Sequence, residues 1–234
     1  MTVKNKGKLM TVDLLDVMGS DLTVVNSARV SFDKASDWNY YKDHDDADAV
    51  KTYLKHKDVK LLKYLARNKH WSPFSHPQLQ FRITAPVFVA RQLAKHQVGL
   101  TWNEVSRRYV DKDPEFHKPM SFRKRSEDAK QGSSHEVVDN NESMCYLYED
   151  AIRHCLDGYK HMISNGVCPE QARMILPQSM FTQWYWTGSL YAFARVCSLR
   201  LAEDTQQETR QIAEAIAQYC VEHFPKSWDA LHNH

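Results

Sequence analysis

The stretch Gln78-Leu-Gln-Phe-Arg-Ile-Thr84, continued by Ala85-Pro86-Val-Phe-Val-Ala-Arg91-Gln92-Leu-Ala-Lys95-His96, decides the fold class. Leu79, Phe81 and Ile83 alternate with Gln80, Arg82 and Thr84, the two-residue period of a strand with one buried face. Pro86 suits the first position of a helix, where its missing N–H leaves no bond unmade. In that helix Arg91 and Lys95 share one face, and Gln92 and His96 another. Gly99 to Asn103 then reads as a loop.

Working outward toward the N-terminus, Ser72-Pro73 breaks the chain ahead of the strand. Asp45 to Arg67 reads as a helix, with Val50, Leu54, Leu61, Leu62 and Leu65 near one face. Asp21 to Val30 reads as a short helix after a Gly19-Ser20 turn. Toward the C-terminus, Arg123 to Gly132 is polar, charged and expected to be mobile. Ser133-x-x-Glu136 matches a capping box. A long helix is expected after it, carrying Met144, Tyr148, Ala151, Ile152, Cys155, Tyr159 and Ile163 at helical spacing and closed by Gly166. Pro169 to Leu176 reads as a short helix and Phe181 to Thr187 as an aromatic strand. Leu190, Phe193, Ala194, Cys197 and Leu201 mark another helix. Thr205-x-x-Glu208 is a candidate cap for a last long helix through Ile212, Ala215, Ile216, Tyr219 and Cys220. Strands mixed with a majority of helices give an α+β fold, and residues 1–234 read as one domain.

Composition narrows the function classes. Of 234 residues, 42% are apolar, enough for a core, and 31 basic residues nearly balance 29 acidic ones. That balance calls for neither nucleic acid nor an anionic membrane. The longest apolar run, Ala85 to Ala90, is too short to span a bilayer, and Met1 to Lys8 lacks the apolar centre of a signal peptide. A soluble cytoplasmic protein is the expectation. Cys145, Cys155, Cys168, Cys197 and Cys220 are odd in number and form no Cys-x-x-Cys pair, so they are expected to be mostly small buried hydrophobes.

Three constellations can carry chemistry. Arg91-Gln92-x-x-Lys95-His96-Gln97 and Asn103-Glu104-Val105-Ser106-Arg107-Arg108-Tyr109 bring cationic and hydrogen-bonding side chains around a short turn. Such a segment can grip phosphate, with Arg108 offering a two-pronged fork, or it can be a solvated basic surface. Glu170 and Arg173 lie three apart on one helical face, either as part of a site or as a surface ion pair. Arg200, six residues before Gln206 with Glu208 beyond it, follows an apolar stripe and needs either a ligand or an intramolecular partner such as Glu203 or Asp204. His70, His76 and His96 lack familiar ligand spacing, so no metal site is expected. Arg107-Arg108 and Arg123-Lys124-Arg125 are small basic clusters of the kind that is usually just solvated.

Taken in order, these segments resemble the flavin-dependent thymidylate synthases. The resemblance runs from Asp16-Val-Met-Gly-Ser20-Asp-Leu and Ala28-Arg-Val-Ser31-Phe, through His70-Trp-Ser-Pro-Phe-Ser-His76 and Ala85-Pro-Val-Phe-Val-Ala-Arg-Gln92. It continues through Asn103-Glu-Val-Ser106-Arg-Arg108-Tyr to Glu170-Gln-Ala-Arg173-Met-Ile-Leu-Pro177, Trp186-Thr187 and Leu199-Arg200. The resemblance implies helices packed on an antiparallel sheet, in a homotetramer with active sites at subunit interfaces. It implies conversion of dUMP to dTMP with FAD as cofactor, and with NADPH and methylenetetrahydrofolate as co-substrates. It implies that Gln92, Lys95, Glu104, Val105, Ser106, Arg107, Arg108, Arg173 and Arg200 hold dUMP. Ser31, His70, Ser72, Ser75, Lys95, His96, Gln97, Glu104, Ser189 and Arg195 would hold FAD, and Glu170 falls on an acidic residue near the active site. Arg200 and Ser106 are the candidate catalytic residues, Ser106 as a hydrogen-bond donor rather than a nucleophile.

The sequence departs from the family pattern on the flavin side. The family's Arg-His-Arg, seven residues, Ser is here Lys95-His96-Gln97, eight residues, Ser106, which puts the extra residue in Val98 to Trp102. Relatives commonly carry Asn where Ser189 and Arg195 stand and His where Asp204 stands. Arg195 adds a cation where Gln97 removes one, which suggests a relocated phosphate contact. No Pro-Cys-Gln tripeptide is present, which fits a route without a cysteine nucleophile; hydrogen bonds that polarise the pyrimidine are the substitute. Two other functions share these features: hydroxymethylation of dUMP on the same fold, and a nucleotide- or nucleic-acid-binding module that has lost catalysis.

Overall fold

A computed structural model of the chain describes residues 10–42, 50–110, 112–126 and 132–233. Strand β1 (Thr11–Met18) leads to helix α1 (Asp21–Arg29), a hairpin of β2 (Asn39–Lys42) and β3 (Val50–Tyr53), and helix α2 (His56–Arg67). The next elements are β4 (Gln78–Pro86), α3 (Val87–Leu93) and β5 (Leu100–Glu104), then a second hairpin of β6 (Arg123–Arg125) and β7 (Ser133–Val137). Helix α4 (Asn141–Ser164), the short α5 (Pro169–Ala172), β8 (Phe181–Ser189), α6 (Leu190–Arg200), α7 (Gln207–His223) and α8 (Pro225–His232) complete it.

The main sheet is antiparallel throughout, in the order β1-β4-β8-β5. β4 and β8 occupy the centre because their alternation supplies a continuous apolar face. Leu79, Phe81, Ile83, Trp184 and Trp186 are buried there against Leu93, Phe193, Ile212, Ile216 and Cys220 of the helices. Phe81 meets Phe193 edge-on at 5.0 Å between ring centres, and Trp186 meets it at 5.3 Å. Each such side chain, once buried, contributes about 1.5–3 kcal/mol. The opposite face is polar and pairs across strands: Gln80 donates to Thr187 at 2.9 Å, Gln183 to Thr84 at 3.0 Å, and Arg82 to Asp13 at 3.2 Å. A second core joins α1, α2, the 3-10 turn Ser72–Ser75 and α8 through Val24, Val25, Leu62, Leu65, Phe74 and Ala230. Asp21 ties this layer together by accepting from the backbone N–H groups of Lys226 and Ser227 at the start of α8.

The α+β class and the antiparallel sheet agree with the sequence reading, as do α1, β4, the long α4, β8 and α6. Gly166 ends α4 with a positive φ of 83°. Other expectations are corrected. Of the helix expected over Asp45 to Arg67, residues 45–49 lie outside those described. Val50–Tyr53 is a strand paired with β2, and the helix begins only at His56. Helix α3 ends at Leu93, so Lys95 and His96 sit in the turn beyond it. Leu100 to Asn103 is a strand, not a loop, because β8 supplies hydrogen-bonding partners that local sequence does not reveal. Ser133 and Glu136 belong to strand β7 and cap nothing; α4 starts after Asn140. Arg123–Arg125, expected to be mobile, is strand β6, with residues 127–131 outside those described. Thr205 donates its hydroxyl to the Leu199 carbonyl at 3.2 Å, and α7 begins after Gln206. Helix α8 was not anticipated.

Of the cysteines, Cys197 and Cys220 are buried hydrophobes, with burial pushing the Cys197 thiol up to about 12. Cys145 and Cys155 are half-buried and Cys168 is exposed, so burial is less general than expected. Among the described residues no helix is long and apolar enough to cross a membrane.

Gly188 is where the β5–β8 pairing is tightest. A Cβ there would lie 2.3 Å from the Leu100 side chain and 2.7 Å from the Gly99 carbonyl oxygen. Gly188→Ala is therefore expected to push β5 off β8 and lower stability by about 1–3 kcal/mol. That corresponds to a Tm fall of about 2–4 °C per kcal/mol in a chain of this size. An unchanged melting temperature would show that β5 shifts freely.

Candidate active site

The end of α6 and the turn after α3 meet. Arg200, the last residue of α6, donates through Nε to His96 Nε2 at 3.0 Å and through Nη2 to the Gln92 carbonyl at 3.1 Å. Its bonds thus run to His96 and to the Gln92 backbone, where the sequence offered Glu203 or Asp204 as partners. A guanidinium has five N–H donors, so those outside these two bonds remain for a ligand. His96 must be neutral to accept from Arg200, and its surroundings keep it so. Burial lowers its pKa most, followed by the charges of Arg200 and Arg195. Burial also lowers the pKa of Arg200. Gln92 extends the cluster by donating from Nε2 to Gln206 Oε1 at 2.5 Å. Gln206 stands just before α7; the sequence reading groups it with Arg200, six residues earlier, and with Glu208, but does not show its bond to Gln92.

The titration of His96 has a definite sign. Its folded pKa lies below the ordinary value of about 6.5, so its contribution to stability is complete above that value. It is lost as pH falls through the depressed folded value. Stability is expected to be level near pH 7 and to decline below about 6.5, with half-buried His117, also lowered mainly by burial, contributing the same sign. His96→Asn keeps an acceptor that does not titrate. Denaturant melts across pH should therefore show a shallower acid decline in that variant, and an identical slope would remove His96 as a cause.

A second group of candidate residues lines a cleft of about 410 Å³. Glu104, Val105, Arg107 and Arg173 contribute to it, together with Arg91 and Lys112. Glu104 is oriented by Thr182, whose hydroxyl donates to it at 2.7 Å, and by the Trp102 indole N–H at 3.2 Å. Trp102 is itself held by stacking on Trp184 with ring centres 4.4 Å apart. Arg173, in the 3-10 turn Arg173–Ile175, bonds through Nε to the Glu170 carbonyl at 3.3 Å rather than to its carboxylate. Ser106 accepts from the Arg108 backbone N–H and from Arg108 Nε at 3.3 and 3.1 Å. Arg108 also lies over the Tyr109 ring, 5.0 Å from its centre. Among the described residues no carboxylate or imidazole bonds the Ser106 hydroxyl, so no base is in place to make it a nucleophile. Gln92, His96 and Arg200 do not line this cleft.

A third group lies between α2, the Ser72–Ser75 turn and α6, around a pocket of about 370 Å³. His70, Trp71, Tyr191, Lys69 and Arg195 line it. Ser72 and Ser75 belong to the adjoining turn, where the Ser75 carbonyl accepts from Gln78 at 2.8 Å. Arg195 is exposed and faces both this pocket and His96, which links the first and third groups. Ser31 is exposed in the turn after α1. Lys95 and Gln97 are exposed beside His96. Ser189 is buried, and its hydroxyl already accepts from Ala192 N–H as the cap of α6. Among the described residues no group of three or more His, Cys, Asp or Glu is placed to hold a metal.

Residues 13–226 match the family model described as thymidylate synthase complementing protein. The chain is 35% identical over 223 residues to a flavin-dependent thymidylate synthase of Thermus thermophilus, covering 95% of this chain and 76% of that one. It is 34% identical over 220 residues to one of Thermosipho africanus, covering 93% and 89%. The crystal structure of a UMP/dUMP methylase, PolB, from Streptomyces cacaoi bound with 5-Br dUMP superposes with a TM-score of 0.78 at 27% identity. It covers 96% of this chain and 95% of that one.

Proposed function

Because the chain belongs to the flavin-dependent thymidylate synthase family, we propose that it converts dUMP to dTMP, with methylenetetrahydrofolate as carbon donor, FAD as cofactor and NADPH as reductant. The observation that carries this reading is the Arg200 fork. It is fixed by His96 and the Gln92 carbonyl, and its remaining donors are free to meet a planar polar ring.

The third group fits part of a flavin dinucleotide. Trp71 and Tyr191 offer ring faces, 6.2 Å apart between centres, and Lys69 and Arg195 offer cations for phosphate. When bound, FAD reduced by NADPH supplies the hydride that completes the methyl group. The chain's own part is to bind and polarise. Arg200 stabilises negative charge developing on the uracil ring and its carbonyl. In this reading Arg108 and Arg173 hold the nucleotide phosphate, since a guanidinium fork matches two oxygens. Ser106 adds a hydrogen bond.

The Arg200 group and the Arg173 cleft are separate on one chain. A homotetramer in which one copy's Arg200 group faces another's Arg108 and Arg173 would join them around one nucleotide. The reading is tested with the purified protein, FAD, NADPH, methylenetetrahydrofolate and dUMP, identifying the product by mass. A methylated nucleotide is expected. A hydroxymethylated one would mean that the carbon is released before reduction, and no conversion would overturn the proposal.

A further inference from the structure

Glu104 is exposed, yet both oxygens of its carboxylate are already engaged. Trp102 stands two residues earlier on β5, and the two-residue period of a strand puts both side chains on one face. The Trp102 indole N–H donates to Glu104 Oε2 at 3.2 Å, and the hydroxyl of buried Thr182 donates to Oε1 at 2.7 Å. Neither bond can run the other way, because an indole N–H only donates and a carboxylate only accepts. The donors are themselves held. Trp102 stacks on Trp184 with ring centres 4.4 Å apart and planes 17° apart, and it meets Trp186 edge-on at 5.6 Å. On the backbone, Trp102 lies opposite Trp186 and Glu104 opposite Trp184. The next N–H, that of Val105, donates to the Gln183 carbonyl at 2.9 Å. Neither Trp102 nor Thr182 is among the residues that the family resemblance assigns to dUMP or FAD.

A glutamate side chain is long and flexible, and freezing such a chain on a ligand costs about two- to tenfold in affinity. Two donors in place before the ligand arrives remove most of that cost. The surroundings make the restraint more important. Arg91, Arg107 and Arg173 line the same cleft, and a loose carboxylate would be drawn to one of these guanidinium groups and take its fork away from a phosphate. A carboxylate has about four acceptor sites. With two filled by Trp102 and Thr182, the others remain for an N–H or O–H of the ligand. dUMP has two such donors, the ring N–H and the 3′-hydroxyl.

We infer that Trp102 is a positioning residue which, together with Thr182, holds the Glu104 carboxylate ready for a donor of the nucleotide and off the arginines of the cleft. The inference rests on the reading of Glu104 as a contact to dUMP.

The test is calorimetric titration of the full chain with dUMP in the presence of FAD. The variants are Trp102→Phe, Thr182→Val and Glu104→Ala, and each of the first two combined with the third. Trp102→Phe keeps an aromatic ring on Trp184 and removes the N–H. Thr182→Val keeps the volume and removes the hydroxyl. Each is expected to raise the Kd for dUMP about fivefold when Glu104 is present, and by less than about twofold once Glu104 is alanine. Thermal melts run alongside, and if Trp102→Phe does not fold, Thr182→Val decides alone. The inference is overturned if either folded variant stays within about twofold of the unchanged chain. It is equally overturned if the loss is as large without Glu104 as with it, which would mark a packing role. If the unchanged chain binds no dUMP, or if Glu104→Ala binds it as tightly, the reading of the site fails together with the inference. A loss in Glu104→Ala with none in Trp102→Phe and Thr182→Val removes the inference alone.

Discussion

Replacing Arg200 with alanine is expected to lower kcat/KM for dUMP by about 10²–10³ while leaving the melting temperature nearly unchanged. Its guanidinium ends α6 at the surface side of the core, so truncation opens no cavity among the apolar residues that hold the sheet. What is lost is a charged donor fixed by two bonds before the ligand arrives. A preorganised donor of this kind acts on charge that develops only in the transition state, which is why the loss falls on turnover. Lysine at the same position is not expected to restore activity, because an ammonium cannot serve His96, the Gln92 carbonyl and a ring together in a planar fork. Steady-state kinetics of both variants provide the check. Turnover at the unchanged level in Arg200→Ala would remove Arg200 from the chemistry.

The largest expected loss of stability belongs to Asp58→Ala. Asp58 in α2 is 0% exposed, and it accepts from Arg29 at the end of α1 and from Ser36 at 2.5 Å. Arg29 reaches it with both Nε and Nη2. Removing the carboxylate strands a partly buried guanidinium and a buried hydroxyl, and breaking such a pair costs about 3–5 kcal/mol. Because Arg29 stands two residues before Ser31, the same change is expected to loosen a segment assigned to the flavin side. Urea unfolding with a lowered midpoint and an unchanged slope would show it. A loss below about 1 kcal/mol would mean that water replaces the carboxylate at little cost.

The sequence made visible those elements whose burial follows a period. β4 was legible because Leu79, Phe81 and Ile83 all face one core, and α6 because Leu190, Phe193, Ala194 and Cys197 do the same. β1 and β5 were not, because each is an edge strand with mixed exposure whose hydrogen bonds come from a partner elsewhere in the chain. Ser133-x-x-Glu136 shows the opposite failure. The pattern of a helix cap was present, but Ser133 instead takes a bond from Arg123 and Glu136 lies 3.4 Å from Lys124 across the hairpin. The helix expected to carry His96 stops short at Leu93, and only the resulting turn lets His96 meet Arg200.

For the candidate site, residue types and order were legible from motifs, whereas grouping was not. Arg200 and Arg173 belong to the same proposed nucleotide contact, yet they stand in different places on one chain, and no periodicity encodes which surfaces of two copies meet. Gln206 was legible only as a neighbour of Arg200 in sequence; its bond to Gln92 was not, because it joins two side chains far apart in the chain.

The most direct measurement is a crystal structure of the protein with dUMP and FAD. The expected result is a pyrimidine ring contacted by Arg200 and Gln92 of one protomer, with its phosphate held by Arg108 and Arg173 of its partner. A nucleotide bound elsewhere, with those guanidinium groups scattered on unrelated surfaces, would contradict the assignment.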